Sequence, residues 1–413
     1  MKNIIKRELY LEKIRPYYDI DIIKVLTGMR RSGKSIILKQ IMDEIISTSK
    51  VSKDHIIYIN FEDFAYEEIK TSKLFYEFVK SKMIDNEKYY MFFDEIQHVS
   101  EFEKVIASFK ATCNCSIFIT GSNSKLLSGE LATLLVGRTV EFKILPFSYK
   151  ESCDYLELNG VNVNHDEFFY NYLEFGGLPQ RFDFKSPDAT LKYLKEHYQG
   201  ICEKDIFKKN SSIEKYKFNA ICSYVLANAG KEFSAENVMN FYNSNNQAAK
   251  KEIEKKTIYN YLEKMEKAFL ISRVQRFNIA GKEILKTKEK QYAMDMGLRI
   301  IQTNTLHFED TFFLENIIYN ELIVRDYEVF VGKTYKGEVD FVAIKGNKKC
   351  FIQVAYLLAS QATIDREFDA FSPISDASPK YVLSLDKMDM SRNGIAHINI
   401  IDFLLGKKDI YLT

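Results

Sequence analysis

The 413-residue chain predicts an α/β protein: a parallel sheet built around a phosphate-binding loop and covered by a helical lid, followed by a winged helix and a second α/β domain. Three observations predict it. An apolar strand, Ile22 to Thr27, runs straight into Gly28-Met29-Arg30-Arg31-Ser32-Gly33-Lys34-Ser35, which spells G-x-x-x-x-G-K-S. A second apolar run, Tyr89 to Phe93, ends in the adjacent acids Asp94 and Glu95. Strand and helix patterns alternate through the first part of the chain, give way to helices after Pro146, and end in a run of strands.

The loop comes first in the chain. Two glycines let the backbone turn its N–H groups onto nucleotide phosphates, Lys34 can reach the β and γ phosphates, and the Ser35 hydroxyl can ligate Mg²⁺. An apolar strand before it and a helical pattern after it (Ile36, Ile37, Leu38, Ile41, Met42, Ile45, Ile46) supply the context that the motif needs. The nucleotide-binding set is therefore Gly28, Arg30, Arg31, Ser32, Gly33, Lys34, Ser35 and Ile36.

Strands are expected at about 22–27, 55–61, 89–94, 116–120 and 139–145. Ligands of such sheets gather at the carboxyl ends of the strands, where Gly28, Glu62, Asp63, Asp94 and Ser122 fall. At the end of its strand Asp94 would join Ser35 in holding Mg²⁺, and Glu95 would orient and deprotonate the attacking water. The strand Cys115 to Thr120 ends at Gly121-Ser122-Asn123, where a polar side chain could hydrogen-bond that water or the γ-phosphate. Helix capping explains Ser122 and Asn123 equally well.

Composition narrows the classes. Lys and Arg total 58 against 57 Asp and Glu, so no overall field draws the chain to nucleic acid or to an acidic membrane, and any such binding needs a local patch. The hydrophobic fraction is 46%, no apolar stretch approaches the length of a membrane span, and residues 1–8 lack the features of a secretory signal. A cytoplasmic protein with no membrane partner is expected. Six cysteines form no C-x-x-C pair and do not cluster with the six histidines, so neither a disulfide framework nor structural zinc is expected.

Three domains follow: residues 1–204 with the helical lid from about 147, a winged helix over 205–303, and a last domain over 304–413. The winged helix is read from helical patterns near 212–229, 234–242 and 255–269, then an extended segment from Leu270, a turn at Ala280-Gly281-Lys282 and a return strand. Its third helix carries Lys255, Lys256, Thr257, Tyr259 and Asn260, and its wing carries Lys282, Lys286, Lys288 and Lys290, enough for a phosphate-contacting surface. Interspersed acids leave a solvated lysine face as the other reading. In the last domain a helix bearing Glu315 and Glu321 precedes strands that carry Asp340 and then Gln353 and Ala355. An acid, followed on the next strand by an acid or amide two residues before a lysine, is the layout of a metal-dependent nuclease core. Here Ala355 takes the lysine position and Gln353 the second acid position, which removes the transition-state cation and one metal ligand.

The loop with its paired arginines, Asn60-Phe61-Glu62-Asp63, Asp94-Glu95-Ile96-Gln97, Thr120-Gly121-Ser122-Asn123, Gly137-Arg138, Leu145-Pro146-Phe147-Ser148 and Phe175-Gly176-Gly177-Leu178-Pro179 together resemble the prokaryotic AAA-type ATPases, common in archaea, that carry a C-terminal nuclease-like domain. The resemblance runs essentially end to end. It implies an additional-strand, catalytic-glutamate P-loop ATPase using ATP and Mg²⁺, a winged helix, and a restriction-endonuclease-like last domain. It implies adenine over guanine, and no N-K-x-D type segment is evident. Arg138 resembles the arginine that approaches the γ-phosphate, from its own or a neighbouring subunit; capping its strand or pairing with a carboxylate is the alternative. The catalytic set is thus Glu95, Lys34, Arg138 and Asn123, and the metal set Ser35 and Asp94. Nuclease activity is disfavoured at Ala355, although Asp340 and Glu315 could still hold a metal or contact a backbone. Three functions remain: an ATP-driven switch acting on duplex DNA or a DNA-bound protein, an ATP-gated nuclease, and a regulatory ATPase whose winged helix docks protein. Oligomeric state is open.

Overall fold

Apolar runs between helices must bury both faces, and the first strands do so. In the computed structural model, which describes residues 3–48, 51–122, 135, 137–210, 212–245, 252–302 and 311–412, the chain divides into two units. One comprises Ile4–Pro146 with Lys267–Phe269; the other comprises Met1–Asn3, Phe147–Glu266 and Leu270–Thr413.

The first unit runs α1 (Glu8–Ile14), β1 (Ile23–Thr27), α2 (Lys34–Thr48), β2 (Ile56–Asn60), α3 (Ser72–Lys82), β3 (Tyr89–Asp94), α4 (Phe102–Thr112), β4 (Cys115–Gly121) and β5 (Thr139–Lys143). Its sheet has the order β2-β3-β4-β1-β5, and every pairing is parallel. All residues of β1, β3 and β4 are buried, as strands covered on both faces require. Val25, Phe93 and Ile119 share a core with Phe75 of α3 and Ile106 and Phe109 of α4. Because β4 lies between β1 and β3, the carboxyl ends of three neighbouring strands face one site.

The second unit begins with helices α5 (Tyr149–Leu158), α6 (His165–Phe175) and α7 (Pro187–Ile201). Ser148 opens α5 with a reciprocal capping box to Glu151, which is why the helix starts directly after the proline break. Then come α8 (Lys215–Ala227), α9 (Ala235–Asn245), α10 (Lys255–Lys267), β6 (Ile271–Asn278), β7 (Glu283–Ala293), α11 (Met296–Ile300), α12 (Thr311–Val324), β8 (Glu328–Lys333), β9 (Glu338–Lys345), β10 (Lys348–Val354), α13 (Gln361–Asp369), β11 (Lys380–Ser384), β12 (Ala396–Asn399) and α14 (Ile400–Leu404). Seven strands form one sheet in the order β12-β11-β10-β9-β8-β6-β7. The hairpin read as the wing is β6–β7, and β6 continues into the C-terminal strands by pairing in parallel with β8.

The helices read as a lid cluster with this second unit. Tyr149, Phe169 and Tyr172 share a buried core with Tyr292, Phe313, Ile317 and Phe341. The Gly176-Gly177 pair allows a close backbone approach, since a Cβ at Gly177 would lie 1.9 Å from the Phe147 carbonyl oxygen, while the Gly177 N–H donates to buried Asp295 at 2.7 Å. Among the described residues no helix is long and apolar enough to cross a membrane.

Candidate nucleotide site

The loop between β1 and α2 is held open by its own backbone. Gly28 has φ +147°, and a Cβ there would fall 2.1 Å from the Ile144 carbonyl oxygen, so only glycine lets this strand end pass beside β5. Arg31 takes φ 61°, a left-handed conformation that costs a non-glycine residue about 1–2 kcal/mol. Arg7, 1% exposed, braces the loop from behind: Nη1 donates to Ser32 O at 2.8 Å, and Nη2 to Leu145 O at 3.0 Å and Pro146 O at 3.2 Å. Lys34 is the first residue of α2, which aims the helix amino terminus at the loop. Its Nζ donates to Gly28 O and Met29 O, each at 3.0 Å.

The paired acids sit on the neighbouring strand ends. Thr120, at the end of β4, connects them: its hydroxyl donates to Asp94 Oδ1 at 2.5 Å and accepts from the Glu95 N–H at 2.9 Å. Tyr58 of β2 donates to Asp94 Oδ2 at 3.3 Å. Glu95 adopts the left-handed conformation, φ 53° and ψ 48°, which turns its side chain away from the strand direction. There its Oε1 lies 3.7 Å from Lys34 Nζ, and its Oε2 accepts from Gln97 Nε2 at 2.5 Å. Burial alone would push the Glu95 carboxyl up, but Lys34, the Gln97 amide and Arg30 outweigh it and hold the group below its ordinary value, hence ionised. Glu62, which pairs with Arg30 at 3.4 Å, forms the rim with His98; ligand-type atoms of Glu62, Glu95 and His98 all lie within 4.8 Å of one another.

Gly28, Arg30, Lys34, Asp94 and Glu95 are therefore brought together, with Ser32, Gly33, Ser35 and Ile36 in the same turn and Ser122 buried at the end of β4. Arg31 is exposed. Asn123 lies outside the described residues. Arg138 is not brought to this site. Parallel register pairs Ile23 with Thr139 and Thr27 with Lys143, so Arg138 stands level with the start of β1 while Gly28 follows its end. From the level of Ile22, opposite Arg138, to Gly28 is six residues, about 20 Å along the strands. Within one chain Arg138 is exposed, its N–H donates to Leu135 O at 2.9 Å, and its carbonyl accepts from Ile23 N at 2.8 Å. That register sets Arg138 far along the strands from the loop of its own chain.

Three contributors carry no assignment from sequence alone. Gln97 stands two residues from Glu95 in the Asp94-Glu95-Ile96-Gln97 motif, a signal that is present but mute about direction. Thr120 needs the strand order before it is seen to join the acids. Arg7 has no local signal, since its partners are up to 139 residues away.

Comparison with known proteins agrees with this geometry. The AAA domain family model matches residues 21–153, and a second, Domain of unknown function (DUF8612), matches residues 166–307. An uncharacterized protein of Haemophilus influenzae is 33% identical over 408 residues, covering 98% of this chain and 99% of its own. An uncharacterized protein of Methanocaldococcus jannaschii is 32% identical over 364 residues, covering 84% of this chain and 78% of its own. Among solved structures, a Walker-type ATPase of Pyrococcus abyssi superposes with a TM-score of 0.52 at 16% identity, over 72% of this chain and 96% of that one, a likeness of fold. With relatives in both organisms aligned over most of its length, and the AAA model spanning the loop and the paired acids, the chain belongs to a prokaryotic family of AAA-type P-loop ATPases.

Proposed function

We propose that the protein binds ATP with Mg²⁺ in the Gly28–Ser35 loop and hydrolyses it to ADP and phosphate. The observation that carries this reading is the convergence of Lys34, Asp94 and Glu95 through Thr120 at adjacent carboxyl ends of β1, β3 and β4. The loop suits a triphosphate: the Gly28 position has no room for a side chain, and the Ser32 hydroxyl is buried without a hydrogen-bond partner among the described residues. When bound, Mg²⁺ would neutralise developing charge on the phosphates, with Ser35 and Asp94 to hold it. Lys34 leaves the Gly28 and Met29 carbonyls for phosphate oxygens, the backbone N–H groups of 30–36 cradle the rest, and Glu95 accepts the proton of the attacking water. Phosphate release measured for the wild type and Glu95→Gln, with ATP binding measured in parallel, tests the reading; equal turnover in both overturns it.

Arg138 enters this reading as a group donated to the site of a neighbouring subunit, and Asn123 as a polar side chain to hydrogen-bond the attacking water or the γ-phosphate. The domains proposed are 1–204, 205–303 and 304–413, with a winged helix and a restriction-endonuclease-like fold after the ATPase, in a cytoplasmic protein. Hydrolysis would reset these modules for action on duplex DNA or a DNA-bound protein. Exposed Lys255, Lys256, Tyr259 and Asn260 at the start of α10, with Lys282 and Lys288 on the hairpin, support that surface. Two pairings weaken it: Lys288 with Glu232 at 3.1 Å and Lys255 with Glu236 at 3.9 Å. Lys290 does not belong to it, being 4% exposed and engaged inside the sheet. ATP hydrolysis assayed with and without duplex DNA at two salt concentrations is the test. Absence of both binding and stimulation at low salt would favour protein docking.

A further inference from the structure

The nuclease layout implies a divalent metal among the acids of the C-terminal sheet, and the residues present do not fit one. The acids lie on neighbouring elements: Glu315 on α12 and Glu338 on β9 share one cation, and the Gln353 side chain on β10 links the Asp340 N–H on β9 to Glu367 on α13. What fills the space between Glu315 and Glu338 is Lys290, reaching in from β7. Its Nζ lies 3.0 Å from Glu315 Oε2 and 2.7 Å from Glu338 Oε1, and the residue is 4% exposed.

We infer that Lys290 is a built-in cation that occupies the place of a divalent metal, so that this centre is a metal-free ion cluster fastening the β6–β7 hairpin to the nuclease-like core.

Each acid that a metal would need already has partners. Glu315 also accepts from the Tyr292 hydroxyl at 3.2 Å, and Glu338 from Arg276 Nη2 at 2.6 Å. Asp340 Oδ2 accepts from the Val354 N–H at 2.8 Å, and its own N–H donates to Gln353 Oε1 at 3.3 Å. Gln353 Nε2 is given to Glu367 at 3.0 Å. Two fixed cations, Lys290 and Arg276, thus face the acids, and an entering divalent ion would meet a like charge within a few ångströms in a water-poor setting. Among the described residues, these acids do not bring three ligand atoms within 4.8 Å of one another. Ala355 stands where the nuclease layout has a lysine; Lys290 supplies an ammonium from another strand, but sealed in rather than presented to a phosphodiester. This inference is independent of the ATPase reading, since none of its residues lies in the nucleotide unit.

The test counts Mn²⁺ bound to the full-length, nucleotide-free chain by electron paramagnetic resonance. Wild type and Glu315→Gln should bind the same number, because the centre contributes no site. Lys290→Ala should gain one Mn²⁺ per chain, lost again when Glu315→Gln is added. A wild-type Mn²⁺ that disappears in Glu315→Gln overturns the inference, as does a folded Lys290→Ala that gains none. Should Lys290→Ala fail to fold, wild type against Asp340→Asn still decides: equal counts and no plasmid nicking with Mn²⁺ support the inference, while a lost ion or nicking that vanishes in Asp340→Asn refutes it.

Discussion

Gln97 Nε2 donates to Glu95 Oε2 at 2.5 Å, fixing one oxygen of the carboxylate whose other oxygen faces Lys34. The amide sits in a short helical turn, Ile96–His98, directly after the left-handed Glu95. Glu95, the Gln97 amide and the Lys34 ammonium therefore form one chain of contacts, and their substitutions should separate cleanly.

Glu95→Gln should keep ATP binding and lose turnover by about a hundredfold or more, because only transition-state function is removed. Lys34→Ala should lose tight binding itself, since the phosphates lose their main side-chain charge. Equilibrium binding of a fluorescent ATP analogue beside steady-state phosphate release distinguishes the two. A Lys34→Ala variant that binds like the parent would sink the assignment.

Gln97→Ala leaves Glu95 in place but frees one oxygen. Turnover should drop on the order of tenfold while the KM for ATP changes little, as expected when a base is misoriented rather than removed. Steady-state kinetics over a range of ATP concentrations measure the split. A rise in KM at unchanged kcat would mean that Gln97 serves binding instead.

Arg138→Ala should be inactive alone. Mixed with Glu95→Gln, it should regain part of the activity, because each chain then supplies what the other lacks across a subunit boundary. No recovery at any mixing ratio, with both variants shown to associate, would leave Arg138 with only its strand-end position.

Lys24 gives a pH signature. It lies on β1, 0% exposed, with Nζ donating to Ser116 Oγ and Ile20 O, each at 2.8 Å. Burial first, then Lys88 and Lys110, lower its pKa to about 7, against 10.5 ordinarily. Between those values the unfolded chain binds more protons than the folded one, so stability should rise as pH increases from about 7 toward 10, by at most about 1.4 kcal/mol per pH unit. Lys24→Met should flatten that rise. Denaturant midpoints of the first transition at about pH 7 and pH 9 provide the comparison, and parallel slopes in the two proteins would refute it.

The first unit was legible because its signals are local. Gly28 to Ser35 must turn as they do, and the strand Tyr89 to Phe93 must be buried, whatever surrounds them. What escaped was set by register. Gly137-Arg138 reads as part of the catalytic motif set, yet the pairing of Ile23 with Thr139 places it at the far end of the strands. Lys290 reads as one of four wing lysines, and nothing in its neighbours along the chain distinguishes it from Lys288; only the opposing Glu315 and Glu338 draw it inward. Strand order, too, has no local sign, so the union of β6 with β8 could not be foreseen from a turn and a hairpin.

That union bears on how the chain can be divided. A polypeptide ended near residue 303 would keep β6 and β7 but strip β6 of its neighbour β8, leaving a row of unsatisfied N–H and C=O groups together with an orphaned Lys290 ammonium. Such a fragment would self-associate through the bared edge, whereas the nucleotide sheet, whose own strands all lie before Pro146, would keep its full set of partners.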